Sequence, residues 1–313
     1  MMTRTVRRTA FSIAAVAALT GVAACGSGSS GDGGKTAGGG AARANPIAAL
    51  LSAETSTAKA DSAQVESTTS LGTLMSMKGD GKLDWSHGIT GTMTITYTGG
   101  TAAETLRKLG NTTTEARYLP EGYYTHMSEE YAGLVGGKHW LKYSYDDLAT
   151  MAGGSGAYLK DQMQNSTPNQ GVRLLLASGD VKKVGEEQVA GKRTTHYTGT
   201  VNVADFAGKS NHNLSADQLD ALKKQLSQSG ITTETVDLWI DDQDLLVKKT
   251  EKADTANGAM NSTAVYRDYG VKVSVTAPPA SDTEDFAKLL KKQGLTTGTT
   301  DAASGSATAP AAS

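Results

Sequence analysis

The sequence contains little cysteine, proline or aromatic side chain. Its 313 residues include one Cys and six Pro, and Phe, Trp and Tyr together make up 5%. A single cysteine excludes a disulfide within the chain. The formal net charge of −2 also lacks the basic excess that neutralises nucleic-acid phosphates. We therefore expect no nucleic-acid partner and a fold that forms without disulfides.

Residue patterns that mark catalytic or metal sites are also missing. No two of the five histidines lie three or four positions apart, the spacing that would place two metal ligands on one helix face. Residues 153–157 depart from the Gly-x-Ser-x-Gly nucleophile pattern at the last position. Residues 241–244 lack the glycine and distal glutamate of a calcium loop. We expect a protein that is not an enzyme and uses no metal and no cofactor.

The N-terminus combines a basic start with a short apolar stretch. Arg4, Arg7 and Arg8 precede residues 10–22, which carry no charge. This arrangement is typical of a secretory signal peptide. The stretch is shorter than the about 20 residues that a membrane-spanning helix needs. The sequence therefore predicts that the chain is exported.

Cys25 follows this stretch directly. The sequence Val22-Ala23-Ala24-Cys25 resembles the bacterial lipobox, in which the thiol receives a diacylglycerol and a peptidase cuts before the cysteine. Two acyl chains give stable attachment, whereas one chain is marginal. We expect Cys25 to anchor the mature chain on the extracytoplasmic face of the cell membrane. An ordinary cleaved signal peptide is the alternative.

Composition divides the chain into four parts. Loss of the signal peptide, residues 1–24, removes three arginines and no acid, so the formal charge becomes −5. Residues 25–44 contain the lipidated cysteine and a flexible Gly/Ser tether. Residues 296–313 are unable to build a core, and we expect a disordered tail there. A single domain is therefore predicted over residues 45–295.

Apolar periodicity predicts both helices and strands in this domain. Residues 45–60 form a predicted helix that is capped by Asn45. Its expected apolar face carries Ile47, Leu50, Leu51 and Ala58. Residues 88–99 alternate apolar side chains with threonines, the pattern of an antiparallel strand that has one dry and one wet face.

The remaining segments continue the mixture. Helices are expected over residues 170–178, over residues 213–230 and from Ser281. Strand pairs should turn at Gly79-Asp80-Gly81, near Gly191 and at Asp242-Gln243, and residues 264–275 should form the last strand. Long antiparallel runs with interspersed helices predict one α+β domain.

Three segments together resemble a known family. They are VGEEQVAGKRTTHYTGTV (184–201), VDLWIDDQDLLVKKTE (236–251) and YRDYGVKVSVTAPP (266–279). Their order behind a lipobox is similar to that of actinobacterial lipoproteins of the LppX/LprG type, which resemble the LolA/LolB carriers in fold. The resemblance covers roughly residues 45–290. It implies a curved antiparallel β half-barrel that covers several α-helices and encloses an apolar cavity.

Apolar side chains in the predicted strands are candidates for lining that cavity, because methionine and aromatic groups adapt to varied apolar ligands. The candidates are Met75, Met77, Trp85, Met93, Ile95, Tyr97, Trp140, Leu238 and Ile240. Ordinary core packing is the alternative for each. The resemblance implies that the protein binds lipids or other apolar ligands, and by extension transports them. A structural or sensory lipoprotein that has a packed core and acts through an unknown protein partner is the alternative.

Overall fold

The computed structural model describes residues 45–134, 136–152, 156, 160, 163–164, 167–202 and 230–292. Several predicted features lie outside the described residues. They are the signal peptide, Cys25 and its tether, the helix at 213–230 and the tail at 296–313.

Twelve strands form one open, curved sheet. The strands are β1 (Ser62–Leu71), β2 (Met75–Asp84), β3 (Thr90–Gly99), β4 (Thr113–Leu119), β5 (Gly122–His126), β6 (Trp140–Ser144), β7 (Lys182–Val189), β8 (Lys192–Asn202), β9 (Thr233–Asp241), β10 (Leu246–Thr255), β11 (Gly258–Arg267) and β12 (Thr283–Asp285). Their order in the sheet is β12-β6-β5-β4-β3-β2-β1-β11-β10-β9-β8-β7. Neighbours are antiparallel except β12, which runs parallel to β6.

Six helices accompany the sheet in the described part of the chain. They are α1 (Pro46–Lys59), α2 (Gly100–Lys108), α3 (Glu129–Leu134), α4 (Tyr145–Met151), α5 (Pro168–Ser178) and α6 (Phe286–Lys292). None of the helices in this part is long and apolar enough to cross a membrane. The predicted α+β class with a curved antiparallel sheet is confirmed.

Helix α1 begins where the sequence predicts, but it buries a different face. The Asn45 side chain accepts hydrogen bonds from the amides of Ile47 and Ala48 at 3.0 and 3.4 Å, and Pro46 occupies the first turn. The buried positions are Ala49, Leu50, Ala53 and Thr57. Because Ile47 and Leu51 are 39% and 54% exposed and Ala58 is also exposed, the predicted apolar face was wrong for these three residues and right for Leu50.

Two hairpins form as predicted. β7 and β8 are joined at Ala190 and Gly191, both with positive φ, as a tight turn between twisted strands requires. β9 and β10 are joined through residues 242–245, where Asp241 accepts hydrogen bonds from the amides of Gln243 and Leu245 at 2.9 Å each. The predicted turn at Gly79-Asp80-Gly81 is wrong, because these residues lie inside β2.

Glycines allow β2 and β3 to approach each other closely. A Cβ atom on Gly81 would lie 2.1 Å from the Thr92 carbonyl oxygen, and one on Gly91 would lie 2.1 Å from the Lys82 carbonyl oxygen. Gly91 also has a φ of +144°, which strains any residue with a side chain. Glycines within strands often mark a bend or a close backbone approach, and here they place side chains of β3 over the centre of the sheet.

Candidate ligand-binding face

Cross-strand register assigns the apolar residues of the sheet to one surface. In a strand, alternate residues share a face, and directly paired residues lie on the same side. Val65 is paired with Gly81, Gly81 with Met93, and Leu83 with Gly91. The same side continues through Tyr266 on β11 to Leu238 on β9. We call this side the inner face and the opposite side the outer face.

Helices α1 and α5 cover one half of the inner face. Leu50 and Ala53 of α1 and Val172 and Leu175 of α5 share a buried cluster with residues of the sheet. Three cavity candidates, Trp85, Leu238 and Ile240, lie in this cluster with exposures of 8%, 0% and 4%. Their surroundings are those of a packed core.

The other cavity candidates on the inner face are more open. Met75 and Met77 of β2 and Ile95 and Tyr97 of β3 are half-buried. Met93 is 8% exposed because its side chain lies across the glycines of β2, and a Cβ on Gly79 would approach its Cε to 2.9 Å. These residues form a continuous strip beside the packed half.

Tyrosines extend this strip toward β6. The rings of Tyr118 and Tyr123 are 5.9 Å apart, and those of Tyr123 and Tyr143 are stacked at 4.6 Å. Tyr145, at the start of α4, lies 6.3 Å from Tyr123. Together with Tyr97 on the neighbouring strand β3, these four residues constitute what we call the tyrosine wall.

The pKa values of the wall indicate an environment of low polarity. Burial is the largest cause in every case: it raises the pKa of Tyr118 to about 12 and raises those of Tyr97, Tyr123, Tyr143 and Tyr145 as well. Yet all except Tyr145 remain half-buried rather than buried. Side chains that are desolvated but still accessible lie in a recess, the setting that apolar ligand sites favour.

Trp140 lies on the opposite side of the sheet. It pairs with His126 at the end of β5. The adjacent pair, Thr125 and Leu141, lies on the inner face, and successive residues of a strand point to opposite sides. The Arg117 guanidinium stands over its ring at 4.4 Å, and the His126 ring meets it edge-on at 5.0 Å. The structure therefore does not bring Trp140 together with the other candidates.

The inner face also contains a buried ionic cluster that the sequence analysis did not identify. Lys249 Nζ lies 2.6 Å from Glu251 Oε1, and these side chains are 8% and 2% exposed. The contact is close enough for a buried ion pair. Burial, and to a smaller extent Glu251, raise the pKa of nearby Glu234 to about 8, while Lys249 opposes the change. The alternation along β10 could have indicated this burial, because Lys249 and Glu251 lie on the same side of the strand as Ala253, which is buried.

The C-terminal segment closes the β6 end of the tyrosine wall. Phe286 of α6 lies 4.8 Å from Tyr143, ring to ring, and Leu289 packs with Met127 and Leu141. His139 holds this segment in place. Its backbone N–H and its Nδ1 both lie 2.9 Å from Asp282 Oδ1, and its Nε2 lies 3.1 Å from Glu129 Oε2. Nε2 does not meet hydrogen-bond geometry, so Asp282 is the better-oriented partner.

The His139 contacts should make attachment of β12 and α6 depend on pH. The pKa of His139 is raised by Glu129 and Asp282, and that of Asp282 is lowered by the His139 amide and ring. A histidine whose pKa is raised in the folded state stabilises that state most fully at pH values below its ordinary pKa of about 6.5. A carboxyl group whose pKa is lowered stabilises the folded state at pH values above its ordinary pKa of about 4. We expect amide-exchange protection of residues 283–292 to be greatest between these values and to fall toward pH 8.

A matched histidine variant tests this expectation. His139→Gln should flatten the pH dependence of protection, after correction for intrinsic exchange rates. His126→Gln removes a neighbouring histidine for which the structure gives no carboxylate contact, and it should leave the dependence intact. An unchanged profile in His139→Gln would contradict the assignment.

No cluster of three or more His, Cys, Asp or Glu side chains that could hold a metal occurs among the residues that the structure describes. The arrangement on the inner face offers apolar contact, stacked rings and phenol hydroxyls. These groups suit binding of an apolar molecule, and we assign them no catalytic role.

Comparison with known proteins places the chain in a family. It is 52% identical over 259 residues to an uncharacterised 31.2 kDa protein of Streptomyces griseus from the rplA-rplJ intergenic region, covering 82% of this chain and 85% of that protein. It is 46% identical over 307 residues to the Streptomyces coelicolor protein named "Putative lipoprotein SCO4650", covering 93% and 98%. The chain belongs to the family of these Streptomyces proteins. No protein-family model matches it.

Solved structures with a similar sheet include two mycobacterial proteins, the lipoprotein LppX and LprF. LppX of Mycobacterium tuberculosis is 15% identical, with a TM-score of 0.43 over 73% of this chain and 98% of that one. LprF of Mycobacterium bovis is 18% identical, with a TM-score of 0.44 over 74% and 96%.

Proposed function

We propose that the chain is a lipoprotein, anchored through Cys25 to the extracytoplasmic face of the cell membrane, that binds lipids or other apolar ligands on the inner face of its sheet. It acts as a binder, and by extension a carrier, without catalysing a reaction. The lipobox and the name of the S. coelicolor relative support the anchor. The domain then spans residues 45–295 behind a tether at residues 25–44.

The inner-face strip that runs from Met77 to Tyr143 is the observation that carries the binding proposal. Its side chains are apolar or aromatic and lie side by side across β2 to β6, and Tyr118, Tyr123 and Tyr143 combine partial exposure with desolvation. A filled core would bury them, as it buries Leu238. Met75, Met77, Met93, Ile95 and Tyr97 therefore remain our candidates for ligand contact, with the tyrosine wall beside them.

Native mass spectrometry of the mature chain, residues 25–313, produced without its lipid tests binding. We expect the protein to carry a co-purified apolar molecule, which leaves the protein intact when the complex is activated by collisions in the mass spectrometer. Only bare protein, after incubation with membrane lipid extract, would instead favour the second candidate: a structural or sensory lipoprotein with a protein partner. The fully packed half under α1 and α5 is the observation that favours that candidate.

Replacement of Cys25 tests the anchor. Cys25→Ser removes the thiol that would accept the diacylglycerol, so we expect an uncleaved precursor or a protein displaced from its membrane location. Membrane fractionation combined with intact-mass measurement reports both. Ser27→Ala, two residues along the tether, serves as the control and should remain lipidated. A Cys25→Ser protein that stays with membranes at the parent's lipidated mass would contradict the proposal.

A further inference from the structure

The tyrosine wall contains hydroxyl groups without partners. The Tyr145 hydroxyl is fully buried and has no hydrogen-bond partner. In the portion of the chain that the structure describes, the hydroxyls of Tyr97, Tyr118 and Tyr123 also make no hydrogen bond. The Tyr143 hydroxyl is close enough to Thr125 to affect its pKa, and Thr125 Oγ1 itself lacks a well-oriented partner.

Unpartnered buried polar groups call for an explanation, since most such groups in folded proteins are paired. Here the Tyr145 hydroxyl is one such group, and Thr125 Oγ1, beside Tyr143, is a second. The rings are held by stacking from Tyr118 through Tyr123 and Tyr143 to Phe286, with centroid separations of 5.9, 4.6 and 4.8 Å. This stacking fixes the directions of the phenol groups, which is the preorganisation that a binding site needs.

The charge of the recess restricts what those hydroxyls can bind. Desolvation is the largest influence on all five tyrosines, and no Lys or Arg of the described chain is among the causes of their pKa shifts. The nearest charged influence is the Glu121 carboxylate, which acts on Tyr145. An environment that disfavours a phenolate also disfavours a phosphate or carboxylate that brings no counter-charge.

Resting on the binding function proposed above, we propose that the tyrosine wall recognises an uncharged, oxygen-bearing part of the ligand, such as an ester carbonyl or a hydroxyl. The phenol hydroxyls of the half-buried Tyr118 and Tyr123 donate to its oxygens, while the stacked rings contact the apolar chain beside it. Ligands whose polar part is an anion are excluded by the same desolvation.

Two lipids that share their acyl chains but carry either a hydroxyl or an anionic phosphate on the third glycerol carbon test this selection. The mature chain, residues 25–313, is equilibrated with detergent micelles that contain equal amounts of dioleoylglycerol and dioleoylphosphatidic acid, and the bound ratio is measured by native mass spectrometry at pH 7. We expect dioleoylglycerol to be retained at least about tenfold better. Equal retention, or preference for the phosphatidic acid, would overturn the inference while leaving apolar binding in place.

Removal of single hydroxyls tests the residues. Tyr123→Phe keeps the ring and should reduce dioleoylglycerol retention about 3–10-fold, the effect of one hydrogen bond. Tyr118→Phe provides a second variant with the same expected direction. Tyr124→Phe is the matched control, because Tyr124 is the adjacent tyrosine and faces the outer side beneath Lys142. It should change nothing.

The outcomes separate the two proposals. If Tyr123→Phe and Tyr118→Phe both behave like Tyr124→Phe, the wall has no role in recognition and the inference fails, although the parent still binds. If the parent retains neither lipid nor any other apolar molecule, the binding function fails and the inference falls with it. Unchanged thermal unfolding of the variants shows that any lost binding comes from the missing hydroxyl.

Discussion

Leu238→Trp should lower the free energy of unfolding by about 1–3 kcal/mol, whereas Ile95→Trp should cost much less and weaken apolar-ligand binding. Both residues lie on the inner face, but Leu238 is fully buried beneath the helices and Ile95 is half-buried on β3. Added volume in a packed core forces strained side chains and backbone shifts. On a recessed, accessible surface the same indole occupies space that a ligand would use.

Chemical denaturation together with binding of an environment-sensitive fluorescent lipid measures both effects. The Leu238→Trp and Ile95→Trp variants control for each other, because the new side chain is the same and only its position differs. Equal destabilisation at the two positions, without lipid binding by the parent, would show that the inner face is packed throughout. That result would favour the structural or sensory lipoprotein.

Local patterns predicted those elements whose ends carry strong chemical signals. The Asn45-Pro46 start of α1, the strand with alternating threonines at β3 and the turn at Gly191 all appear in the structure. Each depends on interactions within a few residues, such as a cap, an alternation of faces or a positive φ. Sequence therefore suffices where the determining contacts are local.

Elements whose form depends on distant partners were predicted less well. The last strand was expected to continue to residue 275, but β11 ends at Arg267, where its pairing with β1 ends. The following segment instead makes single contacts, such as the bond from Arg117 to the Thr276 carbonyl at 3.2 Å. The helix expected from Ser281 begins only at Phe286, since residues 283–285 pair with β6 as β12.

The candidate site shows the same division. Strand phase correctly grouped Met93, Ile95 and Tyr97 on one face, because alternation is a local property. It did not distinguish these residues from Leu238 and Ile240, whose surroundings depend on where α1 and α5 pack. Apolar character alone also selected Trp140, which the register of β5 and β6 places on the outer face.

Charged residues on the inner face were the least predictable feature. In the sequence, the pair at 248–249 suggests a solvated surface, and Lys248 does stand over the outer-face ring of Trp239 at 4.1 Å. Lys249 points the other way, and its stem passes so close to α5 that a Cβ on Gly171 would lie 2.5 Å from its Cδ. Burial is the largest single influence and acts to lower the pKa of Lys249, but Glu251, Tyr266 and Glu234 together outweigh it and raise the pKa.

Lys249→Met should lower the free energy of unfolding by about 3–5 kcal/mol at neutral pH, because it leaves the Glu251 carboxylate buried without a cation. Chemical denaturation of parent and variant at pH 7 measures the difference.

The double variant Lys249→Met/Glu251→Leu should restore most of that stability, or exceed the parent, because well-packed apolar side chains often replace a buried ion pair without loss. Burial, the largest of the causes that raise the pKa of Glu234 to about 8 in the parent, persists in the double variant, so we expect Glu234 to stay protonated near neutral pH. Arg267→Met is the control: it breaks the pair with Glu66, whose side chains are 43% and 42% exposed, and should cost less than about 1 kcal/mol. A double variant as unstable as Lys249→Met would mean that the charges support the sheet through contacts other than their own pairing.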